Sequence, residues 1–325
     1  MSKLKLKTQN FNQNLKATRE AYGEALVEIG KENEKIVVLD AETSNSTYAE
    51  KFKRAYPDRF FEMFIAEQNM ISVALGLDKM GFIPFVSSFA AFLTRAFDQI
   101  RMNQYSNANL KIVGSHCGVS IGADGSSQMG LEDLAMMRSI LNSVVFYPSN
   151  FYSTKKLVKL MAENQGIFYL RLTREKTPII YDQNFSFEIG GSVVHRFDWA
   201  KRFKKKVLVL TAGITLFEAL KAQEELVEKE IEIVVVDCYS IKPLDEETII
   251  SLTSEIKNII VVEDHYPYGG LGEAIASLLL KNKISLENFA HLCVSKIPIS
   301  GRPEELLAYM GIDKKAIISE VEKFF

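Results

Sequence analysis

Residues 60–76 read Phe-Phe-Glu-Met-Phe-Ile-Ala-Glu-Gln-Asn-Met-Ile-Ser-Val-Ala-Leu-Gly, an apolar run of strand type over 60–65 followed by helical spacing over 70–76. The same alternation extends in both directions. Short apolar runs predict strands at 36–39, 83–86, 110–113, 144–147 and 166–172, and the spacing of Ala21, Ala25, Leu26 and Ile29 predicts a helix over 17–30. A further helix is predicted over 130–140 and an amphipathic one over 87–102. Strands that alternate with helices imply an α/β fold with a mostly parallel sheet covered on both faces.

Between 181 and 206 the pattern loosens, and a second alternating series starts at Val207-Leu208-Val209-Leu210. Helix 215–230, strand 233–237, strand 259–263 and helix 271–281 then predict a smaller α/β unit. The expected division is an N-terminal tail over 1–14, a first domain over 15–184 and a second over 185–325, because 325 residues exceed the usual size of one core.

Composition narrows the classes of function. Hydrophobic residues at 47% and charged residues at 25% are the ordinary balance of a globular chain. The 39 basic and 41 acidic residues are interspersed, which predicts no nucleic-acid footprint. The run Lys201-Arg202-Phe203-Lys204-Lys205-Lys206 beside a strand start reads as a solvated turn. Cys117, Cys238 and Cys293 form no CxxC pair, so neither disulfides nor a zinc site is suggested and a cytoplasmic location is expected. The polar, basic start is unlike a secretory signal, and no apolar run is long enough to span a membrane.

Glu67 stands where a strand leaves the core, between Ile65-Ala66 and Met70-Ile71. Burial there favours the protonated acid, which can donate a hydrogen bond to a bound heterocycle. The alternative is a carboxylate capping a helix start. Phe89, Phe92 and Phe97 are either core or an aromatic wall for a flat ring. The segment 114–125, Gly-Ser-His-Cys-Gly-Val-Ser-Ile-Gly-Ala-Asp-Gly, is a glycine-rich loop at the end of a predicted strand, where open α/β sheets bind ligands. His116 and Cys117 are adjacent and point to opposite faces, which disfavours a thiol–imidazole pair. Residues 268–274, Tyr-Gly-Gly-Leu-Gly-Glu-Ala, open a helix and are read as a tight turn in preference to a phosphate cradle.

Residues 61–70, 89–102 and 116–125 together closely resemble the transketolase family, as do Thr18-Arg19-Glu20-Ala21-Tyr22-Gly23, Asn45-Ser46-Thr47, Leu172-Thr173-Arg174, Ile241-Lys242-Pro243-Leu244-Asp245 and Val262-Glu263-Asp264-His265-Tyr266. The likeness covers about residues 15–325. It implies a pyrimidine-binding domain followed by a transketolase C-terminal domain. Glu67 would be the carboxylic acid that hydrogen-bonds the pyrimidine ring of thiamine diphosphate, so that the cofactor activates itself, and Phe89 and Phe92 would line that pocket. Arg19, Ser46 and Arg174 fall where the family grips substrate phosphate, and His116 and Asp124 fall on substrate-contacting positions. Gln128 approaches the cofactor in this likeness; many bacterial and fungal members carry histidine there and animal members glutamine.

The chain lacks the GDG motif with which the family binds diphosphate and a divalent metal. The expectation is therefore one subunit of a split transketolase, partnered by a separate N-terminal diphosphate-binding chain in a heterotetramer, a dimer of heterodimers. Magnesium or calcium would be held mainly by that partner. The implied reaction is ketol transfer from a ketose phosphate such as xylulose 5-phosphate to an aldose phosphate such as ribose 5-phosphate, within the pentose phosphate pathway of carbohydrate metabolism. The rivals are the β subunit of a 2-oxoacid dehydrogenase, which lacks the reason for phosphate-directed Arg19 and Arg174, and a non-catalytic scaffold that keeps the fold.

Overall fold

The computed structural model describes residues 14–325, so the expected tail lies, Asn14 apart, outside the described residues. A seven-stranded sheet runs in the order Ser240–Lys242, Val144–Phe146, Phe168–Arg171, Lys111–Ser115, Ile83–Phe89, Ile36–Asp40, Phe60–Glu62. Every neighbouring pair is parallel except the first. A five-stranded sheet follows in the order Asn288–Leu292, Asn258–Val262, Lys205–Thr211, Ile231–Asp237, Val193–His195, again parallel except at the Val193–His195 edge. The fold is the expected α/β one.

Both faces of each sheet are buried. Val38, Phe85, Val113 and Leu170 join one hydrophobic cluster, while Val37, Leu39, Val86 and Ile112 join the other. Val207 and Val209 alternate with Leu208 and Leu210 in the same way, so both clusters run through the two halves of the chain. A strand buried on both sides has no reason for polar positions, which is why these strands read as continuous apolar runs.

Helix Thr18–Glu32 buries Ala21, Ala25, Leu26 and Ile29 and packs on helix Phe151–Glu163. The latter starts at a capping box, where Asn150 accepts from Ser153 N at 2.9 Å and Ser153 Oγ accepts from Asn150 N at 3.0 Å. The helix expected over 87–102 begins later than the sequence implies. Strand Ile83–Phe89 carries on through the serines, because Ser87, Ser88 and Phe89 pair with Val113, Gly114 and Ser115. A broken helical stretch follows, as Ala90–Leu93, Thr94–Ala96 and Phe97–Tyr105. Strand pairing with a partner on each side outweighs the local amphipathic pattern.

Two of the connections that bind the halves frame the site. Strand Ser240–Lys242, from the second half, closes the edge of the first sheet beside Val144–Phe146. The second is a hydrogen bond from a buried ion pair of the first half to the backbone of the second. Arg171 and Asp133 are 0% and 1% exposed, and Arg171 Nε donates to Asp133 Oδ2 at 2.9 Å. Arg171 Nη2 also donates to Gly130 O at 3.0 Å and to Asp264 O, in the second half, at 2.9 Å. Burial alone would push the Asp133 carboxyl up, but the Arg171 guanidinium, and then His265, hold it below its usual range. Asp133→Ala would leave a buried guanidinium without its counter-charge. A loss of about 3–5 kcal/mol in unfolding free energy is expected, measured by urea denaturation, and a loss within experimental error would show that the pair carries no weight.

Candidate functional site

Parallel strands release their loops on one side, and the expected site residues gather at that carboxyl edge. Ser46 follows strand Ile36–Asp40, Glu67 follows Phe60–Glu62, Phe89 ends Ile83–Phe89, His116 follows Lys111–Ser115, and Arg174 follows Phe168–Arg171. Arg19 joins them from the first turn of helix Thr18–Glu32.

Two guanidiniums organise one end. Arg19 donates from Nε to Arg174 O at 3.2 Å and from Nη1 to Ser46 O at 2.7 Å. Arg174 pairs with Asp124 at 3.0 Å and donates to Ile121 O at 2.9 Å. Burial, together with the like charge of Arg174, lowers the proton affinity of Arg19, although Tyr48 opposes the shift. The turn carrying Ser46 is itself held by Asp40, a fully buried carboxylate that accepts from Thr43 N, Thr43 Oγ1, Thr47 Oγ1 and Ser87 Oγ at 2.7–2.9 Å. Its pKa is pushed up to about 6 by burial, against those donors.

Glu67 opens helix Glu67–Lys79 and is 1% exposed. Its burial follows from spacing, since Glu67, Met70, Ile71 and Ala74 lie on one helical stripe facing the core. The helix start has no side-chain cap hydrogen bond; instead Glu67 Oε2 accepts from Arg95 Nη1 at 3.1 Å, and Gln68 Nε2 donates to Arg95 O at 3.2 Å. Arg95 thereby ties the carboxylate to the helical stretch that carries Phe92.

A ring stack connects the two ends. Phe92 and Phe89 lie with centroids 5.0 Å apart and planes 13° apart, and Phe89 and His116 lie 3.7 Å and 16° apart. His116 Nδ1 is 3.0 Å from Ser115 Oγ, whereas the Cys117 thiol turns away, donating to Gly114 O at 3.2 Å and approaching Asp133 at 3.5 Å. The pairing of that thiol with His116 is absent, although the chain is not extended there as the sequence implied: His116 lies past the strand end at φ 58°, and the turn sends the two side chains apart. Gln128 is half-buried in the turn Ser126–Gln128, which packs against Ala90–Leu93. Phe97 belongs to the next helix and packs on the core.

The glycine-rich turn at 268–274 has no room for a phosphate. Glu263 already accepts from Leu271 N at 2.7 Å and Gly272 N at 2.9 Å, and a Cβ on Gly270 would stand 2.2 Å from its Oε2. Among the described residues no group of His, Cys, Asp or Glu side chains is arranged to hold a metal ion, and no helix is long and apolar enough to cross a membrane. All three cysteines are buried free thiols.

Sequence reasoning missed Asp40, Arg95, Arg171 and Asp264. For three of them a signal was present: Ile-Val-Val-Leu-Asp, Phe-Tyr-Leu-Arg and Val-Val-Glu-Asp each end an apolar strand run with an ionisable residue, which burial obliges to find partners.

An α/β chain with these groups on the carboxyl edge of a parallel sheet carries them where such folds bind ligands. It belongs to the transketolase family. Residues 15–179 match the transketolase pyrimidine binding domain and residues 200–317 the transketolase C-terminal domain. Transketolase-like protein 2 of Mus musculus is 51% identical over 308 residues, covering 94% of this chain and 48% of the relative. Transketolase of Homo sapiens is 48% identical over the same shares. The chain spans about half the length of these curated relatives. A solved structure described as the inactive β4 tetramer of a split-gene transketolase is 38% identical, with a TM-score of 0.85, and covers 94% of this chain and 97% of its own.

The state of His116 bears on what this edge can bind. Burial, then the charges of Arg19 and Arg174, push its pKa down to about 3. A histidine depressed in this way binds fewer protons folded than unfolded, so its contribution to stability is lost as the pH falls from about 6.5 towards 3. The His116 ring is expected to stay neutral from pH 5 to 9, measured by NMR of histidine-labelled protein with His116→Gln for assignment. A midpoint near 6.5 would show that the ring is not enclosed as described.

Proposed function

We propose that this chain is the pyrimidine-binding and C-terminal subunit of a thiamine-diphosphate-dependent transketolase, completed by a separate chain that binds the diphosphate and its magnesium or calcium ion. The reaction proposed is transfer of a two-carbon ketol unit from a ketose phosphate such as xylulose 5-phosphate to an aldose phosphate such as ribose 5-phosphate. The observation that carries the reading is the continuity of the site: the stack Phe92–Phe89–His116 links the Glu67 end to the Arg19–Ser46–Arg174 end on one sheet edge.

The residues fit the pyrimidine half of the cofactor. Glu67 offers a buried carboxyl at a helix start, with the half-buried Phe89 and Phe92 rings beside it. Thiamine diphosphate, when bound, supplies the nucleophilic carbon of the reaction. This chain's residues would do the rest of the positioning. Glu67 would hydrogen-bond the pyrimidine, the phenylalanines would fix its plane, and Gln128 would lie close by. Arg19 and Arg174, with Ser46, would meet the sugar phosphate through charge-assisted hydrogen bonds. A neutral His116 suits sugar hydroxyls, and Asp124, held by Arg174, would read a donor hydroxyl.

The near-complete overlap with a split-gene relative supports a partner of the N-terminal type, and that relative's description as an inactive tetramer of β chains supports dependence on it. Two guanidiniums at the sugar end would supply charge-assisted donors to a sugar phosphate. The test is ketol transfer between xylulose 5-phosphate and ribose 5-phosphate with thiamine diphosphate and magnesium, using this chain alone and mixed with a diphosphate-binding transketolase chain from the same source. Turnover is expected only in the mixture. Glu67→Gln should lower that turnover by about a hundredfold or more while leaving assembly intact. Failure of the bound mixture to turn over would sink the reading, and near-normal turnover of the variant would remove Glu67 from its role.

A further inference from the structure

Asp264 lies just past strand Asn258–Val262 of the second sheet, yet its carboxylate is embedded in the glycine loop of the first. It is 0% exposed. Oδ1 accepts from Val119 N at 2.8 Å, and the Ser120 N–H is a second backbone donor to the carboxylate. Oδ2 has no hydrogen-bond partner among the described residues but is closely packed: a Cβ at Gly118 would stand 1.9 Å from it. Gly118 has φ 78° and ψ 176°, a backbone region open only to glycine.

The anchor is itself anchored. Asp264 O accepts from Arg171 Nη2 at 2.9 Å, His265 O accepts from Val294 N at 2.9 Å, and Tyr266 N donates to Leu131 O at 3.2 Å. The loop it grips is closed at its base, where Gly118 N donates to Gly130 O at 2.8 Å and Gly130 N donates to His116 O at 3.2 Å. Beyond Ser120 the chain presents Ile121 O and Asp124 to Arg174. Gly122 and Gly125, also at positive φ, face Gly301 O and Ser300 Oγ of the second half at 3.2 and 2.7 Å from their would-be Cβ atoms. Glycines confer no conformation of their own, and ordering each costs about 1–2 kcal/mol of backbone entropy, so the loop needs an external template.

We propose that Asp264 is a positioning residue for sugar-phosphate binding: from the C-terminal domain it sets the backbone turn that aims His116 and Asp124 at the substrate. The proposal rests on the function proposed above for those two residues. Asp264 touches neither substrate nor cofactor; it acts through Val119 and Ser120.

The experiment compares Asp264→Ala and Asp264→Asn in the two-chain enzyme. Asp264→Ala should raise the KM for xylulose 5-phosphate about tenfold or more, as misplacement of a contact loop does, and should weaken thiamine diphosphate binding by a smaller factor, since Glu67, Phe89 and Phe92 lie outside the loop. Asp264→Asn keeps an oxygen to accept from Val119 N–H and should restore most of the loss. Hydrogen exchange of peptides spanning 116–125 reads the anchor without turnover: exchange about tenfold or more faster is expected in Asp264→Ala, with helix Leu271–Lys281 still protected. Unchanged loop exchange overturns the proposal, and so does faster exchange with an unchanged KM. If Asp264→Ala does not fold, Asp264→Ser, whose hydroxyl falls short of Val119 N, must give the same KM and exchange changes or the proposal fails. If the wild-type pair does not turn over, the proposed function falls, while the exchange result still decides whether Asp264 holds the loop.

Discussion

A guanidinium with no access to water needs a counter-charge and acceptors from the protein, and Arg171, whose Nε and Nη2 find them while Nη1 has no hydrogen-bond partner, imposes that requirement where the two sheets meet. Its partners come from two stretches of chain: Gly130 and Asp133, which join the glycine loop to helix Asp133–Ser139, and Asp264 beyond the second sheet. None of the three can shift without exposing a buried charge to an apolar interior. The loop that carries His116 and Asp124 therefore inherits its frame from the contact between the two halves. Its own glycine-rich sequence has no comparable preference.

The site draws on two kinds of force. At one end, the guanidiniums of Arg19 and Arg174 are gathered at the edge of the sheet by backbone carbonyls and Asp124, with Glu175 beside them. At the other, Glu67 sits on the core-facing stripe of its helix, where the neighbours are Met70, Ile71 and Ala74. The stacked rings of Phe92, Phe89 and His116 span the interval, and the neutral imidazole is compatible with a position between aromatic carbon and two guanidiniums. A charged imidazole there would face like charge and lose its hydration.

The two glycine-rich segments differ in fate for a reason that composition does not contain. At 268–274 the free N–H groups of the helix start are taken by Glu263, so the turn is purely structural. At 114–125 the N–H groups of Val119 and Ser120 are also taken by a carboxylate, that of Asp264, but the chain beyond them returns to the sheet edge beside Arg174. What separates the two turns is where the adjoining residues are delivered.

The order of strands and helices was legible because strands buried on both faces read as unbroken apolar runs, and helix Leu271–Lys281 was bounded as the pattern implies. The burial of Glu67 was legible from the helical spacing that follows it. Local pattern failed at 87–102, where pairing of Ser87, Ser88 and Phe89 with the neighbouring strand outweighed an amphipathic signal. The sequence by itself determined the α/β alternation, the apolar stripes and the chemical types available to the site. Only the tertiary structure decided that Arg19 meets Arg174 across 155 positions, that Asp264 reaches Val119 across 145, and that Ser240–Lys242 closes the first sheet. The reason is physical: propensity and periodicity act over a few residues, whereas these contacts are set by which buried polar groups find partners once the two sheets pack.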